Sequence, residues 1–453
     1  MPDYLAESND GMGTDASRRV LAISRRALAT GGVLALGFAL LADRFGFGSE
    51  GSLGIGQVLL GLFGALAFLA GVLGRRFVPV YRDSAALLLS VLLAIAFLEL
   101  VAIVVGRTHF DSTRATTESL PYYETQPWSR TYWQEASAAV RKRYAPYVGW
   151  SHEPFVGETL TVDEEGHRLT PGADCGGSPY RVFAFGGSTM RGWGAPDWGT
   201  IPAYLQEGLE ASLGSAVCVV NLGQDGFVST QSVIALALRL RAGDVPDAVV
   251  FYDGVNDVLA AAEAGVPGTH VTLERLAARF EQREHPLTTW LMRTRLYAMA
   301  SRIQLGGTPL QSEGLFRHPD VDPIELGRSS ARLYLGNHDL VRTLSAQYGF
   351  EFGFFLQPHL ALAKKPLTPE EESMREPIQV ESERLADSFY QGVRAAASSL
   401  PCLWDVSGAL DAREEQIFID TTGHVTPPGN RLIVEEMLGR MAESGQCFST
   451  LAK

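Results

Sequence analysis

The chain has no Cys-x-x-Cys and no His-Glu-x-x-His spacing. The ligand sets of common zinc sites are therefore missing, and neither a metal nor a cofactor is expected. No Gly-x4-Gly-Lys-Ser/Thr run occurs, so Gly186-Gly187-Ser188-Thr189 does not read as a phosphate-binding loop. Positive charge is in deficit: 38 Lys and Arg stand against 51 Asp and Glu, for a formal charge of −13. Without a basic stripe, nucleic acid is not an expected partner. No internal repeat is evident, which argues against a solenoid. Cysteine is scarce: Cys175, Cys218, Cys402 and Cys447 are the only four, and all lie in the second part of the chain. Two disulfides on an oxidising side of a membrane, or four buried thiols, would both fit.

What is abundant is apolar sequence, unevenly spread. Residues 27–105 are nearly all apolar, while the rest resembles a soluble acidic enzyme. Residues 1–17 read as an irregular tail, and 1–26 as a cytoplasmic one. Three runs read as membrane helices, at about 27–46, 53–74 and 84–105. A cleaved signal peptide would explain the first run but not the other two. Arg18, Arg19, Arg25 and Arg26 precede the first run, and Arg75, Arg76 and Arg82 lie between the second and third. By the positive-inside rule both groups face the cytoplasm, so everything after the third run lies outside. The bilayer is thus an expected partner, and the expected location is a multi-pass protein of the bacterial cytoplasmic membrane with an extracytoplasmic domain.

Residues 107–178 read as an aromatic-rich connector, with a short helix at Glu135 to Arg143, packing on the domain that follows. Its aromatics either pack or line a glycan surface. From 179 to 453, apolar strand runs alternate with helical patterns, the signature of a parallel α/β sheet. Strands are expected at 180–186, 216–222, 247–253, 351–356 and 402–406. Helices are expected at about 230–241, 324–347, 377–399 and 428–444, with a helical insertion at about 258–325. The fold class is α/β, a flavodoxin-like three-layer α/β/α sandwich with about five parallel strands. In that arrangement Cys175 and Cys218 fall at the starts of neighbouring strands, which favours Cys175–Cys218 and leaves Cys402–Cys447.

Four stretches fall at strand ends. Strand one runs into Gly186-Gly187-Ser188, which lifts a hydroxyl to the carboxyl edge of a sheet, where open α/β folds keep their sites. Strand two is followed by Asn221-Leu222-Gly223-Gln224-Asp225-Gly226-Phe227. Strand three is followed by Asp253-Gly254-Val255-Asn256-Asp257. After strand five comes Asp420-Thr421-Thr422-Gly423-His424. Each alone is weak; the order is specific. It resembles the SGNH (GDSL-type) serine hydrolase superfamily over residues 180–445, and most closely membrane-anchored bacterial members with a Gly-Gly-Ser-Thr first block. Asp197 and Thr200-Ile201-Pro202 fit the same resemblance.

The resemblance implies an ester-bond hydrolase without a cofactor. Ser188 would be the nucleophile, His424 the general base and Asp420 its orienting acid. The Ser188 N–H, Gly226 and Asn256 would form the oxyanion hole. The chemistry asks for these types: a serine hydroxyl needs an imidazole to take its proton, and the tetrahedral oxyanion needs N–H donors. Two departures stand. Gly187 replaces the aspartate of Gly-Asp-Ser, and Asp420 is four residues before His424 where the family commonly has three. Either the loop carries an extra residue, or a backbone carbonyl orients the imidazole and the site is a dyad. Expected substrates are ester-bearing, such as an acylated envelope glycan or lipid. An O-acetyltransferase using the same site and an inactive envelope-binding protein are the alternatives. His359 is a lesser candidate base, and Asp253 is expected to be structural.

Overall fold

The computed structural model describes residues 10–41, 55–73, 117–177, 179–271 and 316–451, with isolated positions between 90 and 101 and between 273 and 277. The chain divides into two compact units, residues 1–102 and 103–453.

In the first unit, helices α1 (Asp10–Leu41) and α2 (Ile55–Leu73) form an antiparallel hairpin. Gly71 faces Ala29, Gly64 faces Gly32 and Leu36, and Gly61 faces Ala39. A Cβ added at Gly32, Gly64 or Gly71 would come within 2.5, 2.8 or 2.6 Å of the facing backbone. Small residues are what let the two backbones approach this closely. Arg25 reaches the end of α2, its Nε donating to the Gly71 carbonyl at 3.1 Å and its NH2 to the Val72 carbonyl at 3.0 Å. Large apolar side chains point outward: Leu34, Leu40, Phe63 and Leu66 are 65–75 % exposed.

The expected three spans do not emerge as such. Among the described residues no helix is long and apolar enough to cross a membrane. The described part of the first run lies in α1, whose uncharged stretch, 27–41, rises about 22 Å against a hydrocarbon core of about 30 Å. Most of the third run lies outside the described residues. The tail is not irregular throughout either, because α1 starts at Asp10 and carries the four arginines within it.

The second unit is built on five parallel strands: β5 (Tyr180–Gly186), β6 (Val217–Asn221), β7 (Ala248–Asp253), β8 (Glu351–Leu356) and β9 (Leu403–Asp405). Their order across the sheet is β6-β5-β7-β8-β9, the flavodoxin-like arrangement. The central strands read as continuous apolar runs because helices cover both faces. Phe185, Phe251 and Phe354 stack across three of them at 5.3 and 4.4 Å. Helices α6 (Ile201–Leu213) and α12 (Pro427–Glu443) pack together. A second group is α7 (Ser229–Arg241), α8 (Val255–Ala264), α9 (Pro323–Tyr348) and α11 (Val380–Ala397). Right-handed crossovers from β5 to β6 and from β6 to β7 send α6 and α7 to opposite faces. That reversal opens a crevice between the carboxyl ends of β5 and β7.

The connector differs from its expected form. Its helices are α3 (Pro121–Glu124) and α4 (Ser129–Ala138), so the helix ends before Arg143. Lys142–Ala145 is instead strand β1, paired antiparallel with β2 (Gly149–His152), and β3 (Phe155–Val156) pairs with β4 (Thr161–Val162). Tyr123, Tyr132 and Trp133 are buried in a cluster of edge-to-face rings. Tyr123 donates to the Gly194 carbonyl at 2.6 Å, and Tyr132 accepts from the Gly194 N–H at 2.7 Å. The cysteines pair as Cys175–Cys218 and Cys402–Cys447. Of the helical insertion expected at about 258–325, residues 278–315 lie outside the described residues.

Candidate active site

Ser188 begins α5 (Ser188–Arg191), a single turn directly after β5. Gly186 is needed because a Cβ there would lie 2.5 Å from the Tyr252 carbonyl oxygen of the neighbouring strand. Gly187 has a sharper reason: its Cβ would lie 2.2 Å from Asn256 Nδ2. The missing aspartate of the first block therefore marks the space taken by the Asn256 amide. That amide donates to the Phe227 carbonyl at 2.8 Å, and its second N–H can serve another acceptor.

Ser188 Oγ lies 2.6 Å from His424 Nε2, and His424 Nδ1 lies 2.6 Å from Asp420 Oδ2. Asp420 and His424 face each other across a tight loop. Phe418 bridges Val425, and the Ile419 N–H donates to the His424 carbonyl at 3.0 Å. Gly423 turns the chain at φ +84°, a conformation that favours glycine. The loop carries one residue more than the usual spacing, and the acid still reaches the ring. Asp420 Oδ1 accepts from Thr422 N–H at 2.9 Å and Thr422 Oγ1 at 2.8 Å. Burial alone would raise the Asp420 carboxyl; the charge of His424 and hydrogen bonds from His424 and Thr422 hold it below the usual range. It is thus an ionised acceptor for the imidazole.

Two neighbours brace this loop. Glu371, in α10 (Pro369–Arg375), accepts from the Ile417 and Phe418 N–H groups, both at 2.9 Å, and pairs with buried Lys365. Thr426 caps α12, with Pro427 in its first turn. Trp193 lies beside His424, the two ring centroids 6.2 Å apart.

Gly226 lies in the loop after β6, at φ +77°. This loop is held by the connector and by α5. Asp225 meets His152 Nε2 at 2.9 Å and Arg191 at 3.3 Å. Burial would raise the Asp225 carboxyl, but Arg191 first and His152 second hold it well below the usual range. Buried Arg168 straps the segment after Ser188, donating to the Gly192 and Ala195 carbonyls, both at 2.6 Å, and to Asp197 at 2.8 Å. Gln357, at the end of β8, links two blocks: its Nε2 donates to Thr189 Oγ1, and its Oε1 accepts from Val255 N–H at 3.1 Å.

The structure thus joins Ser188, His424 and Asp420 by direct hydrogen bonds and sets Asn256 beside the first block. His359 does not join them. It is buried, its Nδ1 accepts from Ala361 N–H at 3.1 Å, and burial pushes its pKa down to about 4. Asp253 and Asp257, on either side of Asn256 in the chain, are both buried. Burial raises both, and their mutual repulsion raises Asp253 well above the usual range. Sequence reading missed Arg168, Asp225, Trp193 and the linking role of Gln357. No motif signals them, because each acts through partners 20 or more positions away. Among the described residues, one cluster has metal-ligand geometry: exposed Asp163 and Glu165 with half-buried His167. Asp163 Oδ1 already accepts from the N–H groups of the other two, closing a turn.

No family model matches this chain, and no curated protein sequence matches it. Solved structures do. The similarity is to GDSL-type lipolytic proteins and acetylesterases. A lipase, Lip_vut3 from a goat rumen metagenome, is 11% identical, with 57% of this chain and 96% of that one covered at a TM-score of 0.35. A carbohydrate acetylesterase family member from Sinorhizobium meliloti is 12% identical, with coverages of 60% and 99% and a TM-score of 0.33. A member of the lipolytic G-D-S-L family from Veillonella parvula is 13% identical, with coverages of 57% and 96% and a TM-score of 0.32.

Proposed function

We propose that this chain is a membrane-anchored serine esterase of the SGNH type, with its catalytic part outside the cytoplasm. The observation that carries the chemistry is the continuous Ser188–His424–Asp420 relay, with both links at 2.6 Å. His424 Nε2 takes the Ser188 proton as Oγ attacks the ester carbonyl. The carbonyl oxygen becomes an oxyanion, met by the Ser188 and Gly226 N–H groups and the free Asn256 amide N–H. Collapse breaks the ester C–O bond, and the proton on His424 passes to the leaving alcohol. Water, deprotonated by His424, then attacks the acyl-enzyme and releases the acid and free Ser188. Asp420 keeps the imidazole oriented and stabilises it when protonated.

Anchoring is supported by the glycine-faced hairpin, its outward apolar side chains and the arginines before the first and third apolar runs. The two disulfides accord with an oxidising compartment. From that placement follows the substrate class, an acyl ester of an envelope glycan or lipid.

The test uses the full chain in detergent micelles. Hydrolysis of nitrophenyl acetate and butyrate and labelling of Ser188 by a fluorophosphonate are expected, and both should vanish in Ser188→Ala. Absence of both from the intact protein would overturn the hydrolase reading in favour of a binding protein. Protease added to spheroplasts should remove residues after 107; full protection would overturn the outward placement.

A further inference from the structure

The Gly226 N–H is one of the proposed oxyanion donors, and its direction is set by a peptide it shares with Asp225. Gln224, Asp225, Gly226 and Phe227 form a β-turn, closed by the Phe227 N–H donating to the Gln224 carbonyl at 3.1 Å. Gly226 stands at φ +77°, whereas Asp225 is not among the positive-φ residues. That combination is a type II turn. Types I and II differ in the flip of the middle peptide, here the Asp225 C=O with the Gly226 N–H. The peptide is planar and trans, so the two groups point in opposite directions. Whatever holds the carbonyl also aims the N–H.

The connector holds that carbonyl. Trp150 Nε1 donates to the Asp225 carbonyl at 2.8 Å, and Lys142 Nζ reaches the same oxygen at 3.3 Å. Both residues come from the β1–β2 hairpin, outside the block pattern. Trp150 is itself fixed: its ring packs on Phe227 at 5.6 Å, and Lys142 lies 5.5 Å above it. The same hairpin grips the turn's side chains, through His152 to Asp225 and through the His152 N–H to Gln224 Oε1 at 3.2 Å. Among the described residues no protein acceptor takes the Gly226 N–H. In the flipped turn, a carbonyl oxygen would face the oxyanion instead.

We propose that Trp150 is a positioning residue for the oxyanion hole: its indole N–H, aided by the Lys142 ammonium, locks the Asp225–Gly226 peptide so that the Gly226 N–H faces the reacting carbonyl. A donor on the carbonyl also polarises the peptide and strengthens its N–H as a donor. The inference rests on the hydrolase reading above and assigns to the connector a share in the chemistry.

The test compares the full chain with Trp150→Phe, which keeps an aromatic ring on Phe227 and removes the N–H. Loss of a whole oxyanion donor costs about 10²- to 10³-fold in kcat, so misaiming one should cost about 10-fold. KM should stay within about twofold, because the bond matters most when charge develops. Inhibition by phenylboronic acid, whose serine adduct is tetrahedral, should weaken by a similar factor. Lys142→Met, an exposed change, should lower kcat about 2- to 3-fold. A Trp150→Phe protein with unchanged kcat and boronate affinity would overturn the inference, and so would a rise in KM alone, which marks a substrate wall. Should Trp150→Phe not fold, an unchanged kcat in Lys142→Met would overturn it equally. Intact protein with neither esterase activity nor labelling at Ser188 would instead sink the hydrolase reading and this inference together.

Discussion

Asp420 reaches His424 Nδ1 at 2.6 Å from four positions earlier in the chain, one more than the family's usual spacing. The surplus residue is absorbed by the turn through Thr422 and Gly423, the latter at φ +84°. The site therefore has the geometry of a triad, with the carboxylate supplied from position 420. Asp420→Asn should lower kcat by about 10³-fold or more, the scale expected when an imidazole loses its orienting carboxylate. Thr421→Ala, at the usual position of the acid, should stay within about twofold. Ester hydrolysis by the two variants decides between the positions.

Gly187→Asp would restore the familiar Gly-Asp-Ser motif and should nonetheless damage the enzyme. Its Cβ would meet Asn256 Nδ2 at 2.2 Å and push the amide away. A loss of about 100-fold in kcat is expected, comparable to removing one oxyanion donor. Full activity in this variant would mean that Asn256 does not serve the oxyanion.

Gln357→Ala should unlatch the first block from the third. It removes the bond to Thr189 Oγ1 and the acceptor for the Val255 N–H, neighbours of Ser188 and Asn256. The Val255 N–H would be left buried and unpaired, at a cost of about 1–3 kcal/mol. The expected result is a lower melting temperature together with a kcat loss of about 10-fold. Gln357→Glu should retain part of both, since one carboxylate oxygen can still accept from Val255.

The buried pair Asp253–Asp257 should make stability depend on pH. Burial lifts Asp257 to about 6, and burial with the Asp257 charge lifts Asp253 well above the usual range. Raised folded pKa values mean the folded state binds more protons than the unfolded one above pH 4. The stabilisation is complete below about pH 4 and is lost as pH rises through 6 and beyond. Asp253→Asn should therefore gain melting temperature relative to wild type between pH 5 and pH 8. Parallel pH curves for the two proteins would contradict the shift.

Reduction should destabilise the second unit. The bridges close loops with sequence separations of 43 and 45 residues. Each is worth up to about 4 kcal/mol in the chain-entropy model. Thiol-blocking mass spectrometry of non-reduced protein should find no alkylated cysteine. Added reductant should lower the melting temperature.

Sequence and structure divided the work unevenly. Strands with two buried faces were plain as apolar runs such as Val182–Phe185 and Ala248–Tyr252, since a parallel sheet covered on both sides leaves no polar alternation. Their order, together with Ser188, Asn256 and His424 at strand ends, was legible because each block is local. Gly187, Asp225 and Trp150 were not. Their roles rest on contacts between distant segments: a glycine whose missing Cβ makes room for Asn256, and a hairpin that reaches a carbonyl 75 positions along the chain. The first unit shows the converse, since its apolar runs were obvious while the glycine face joining α1 to α2 emerged only on packing. What the sequence determined by itself was the sheet and the chemical types at its edge, because hydrophobic periodicity and turn residues act over a few positions. What only the tertiary structure decided was which acid meets His424 and which groups hold the Asp225–Gly226 peptide and the Asn256 amide, because hydrogen-bond direction depends on where remote backbone lies.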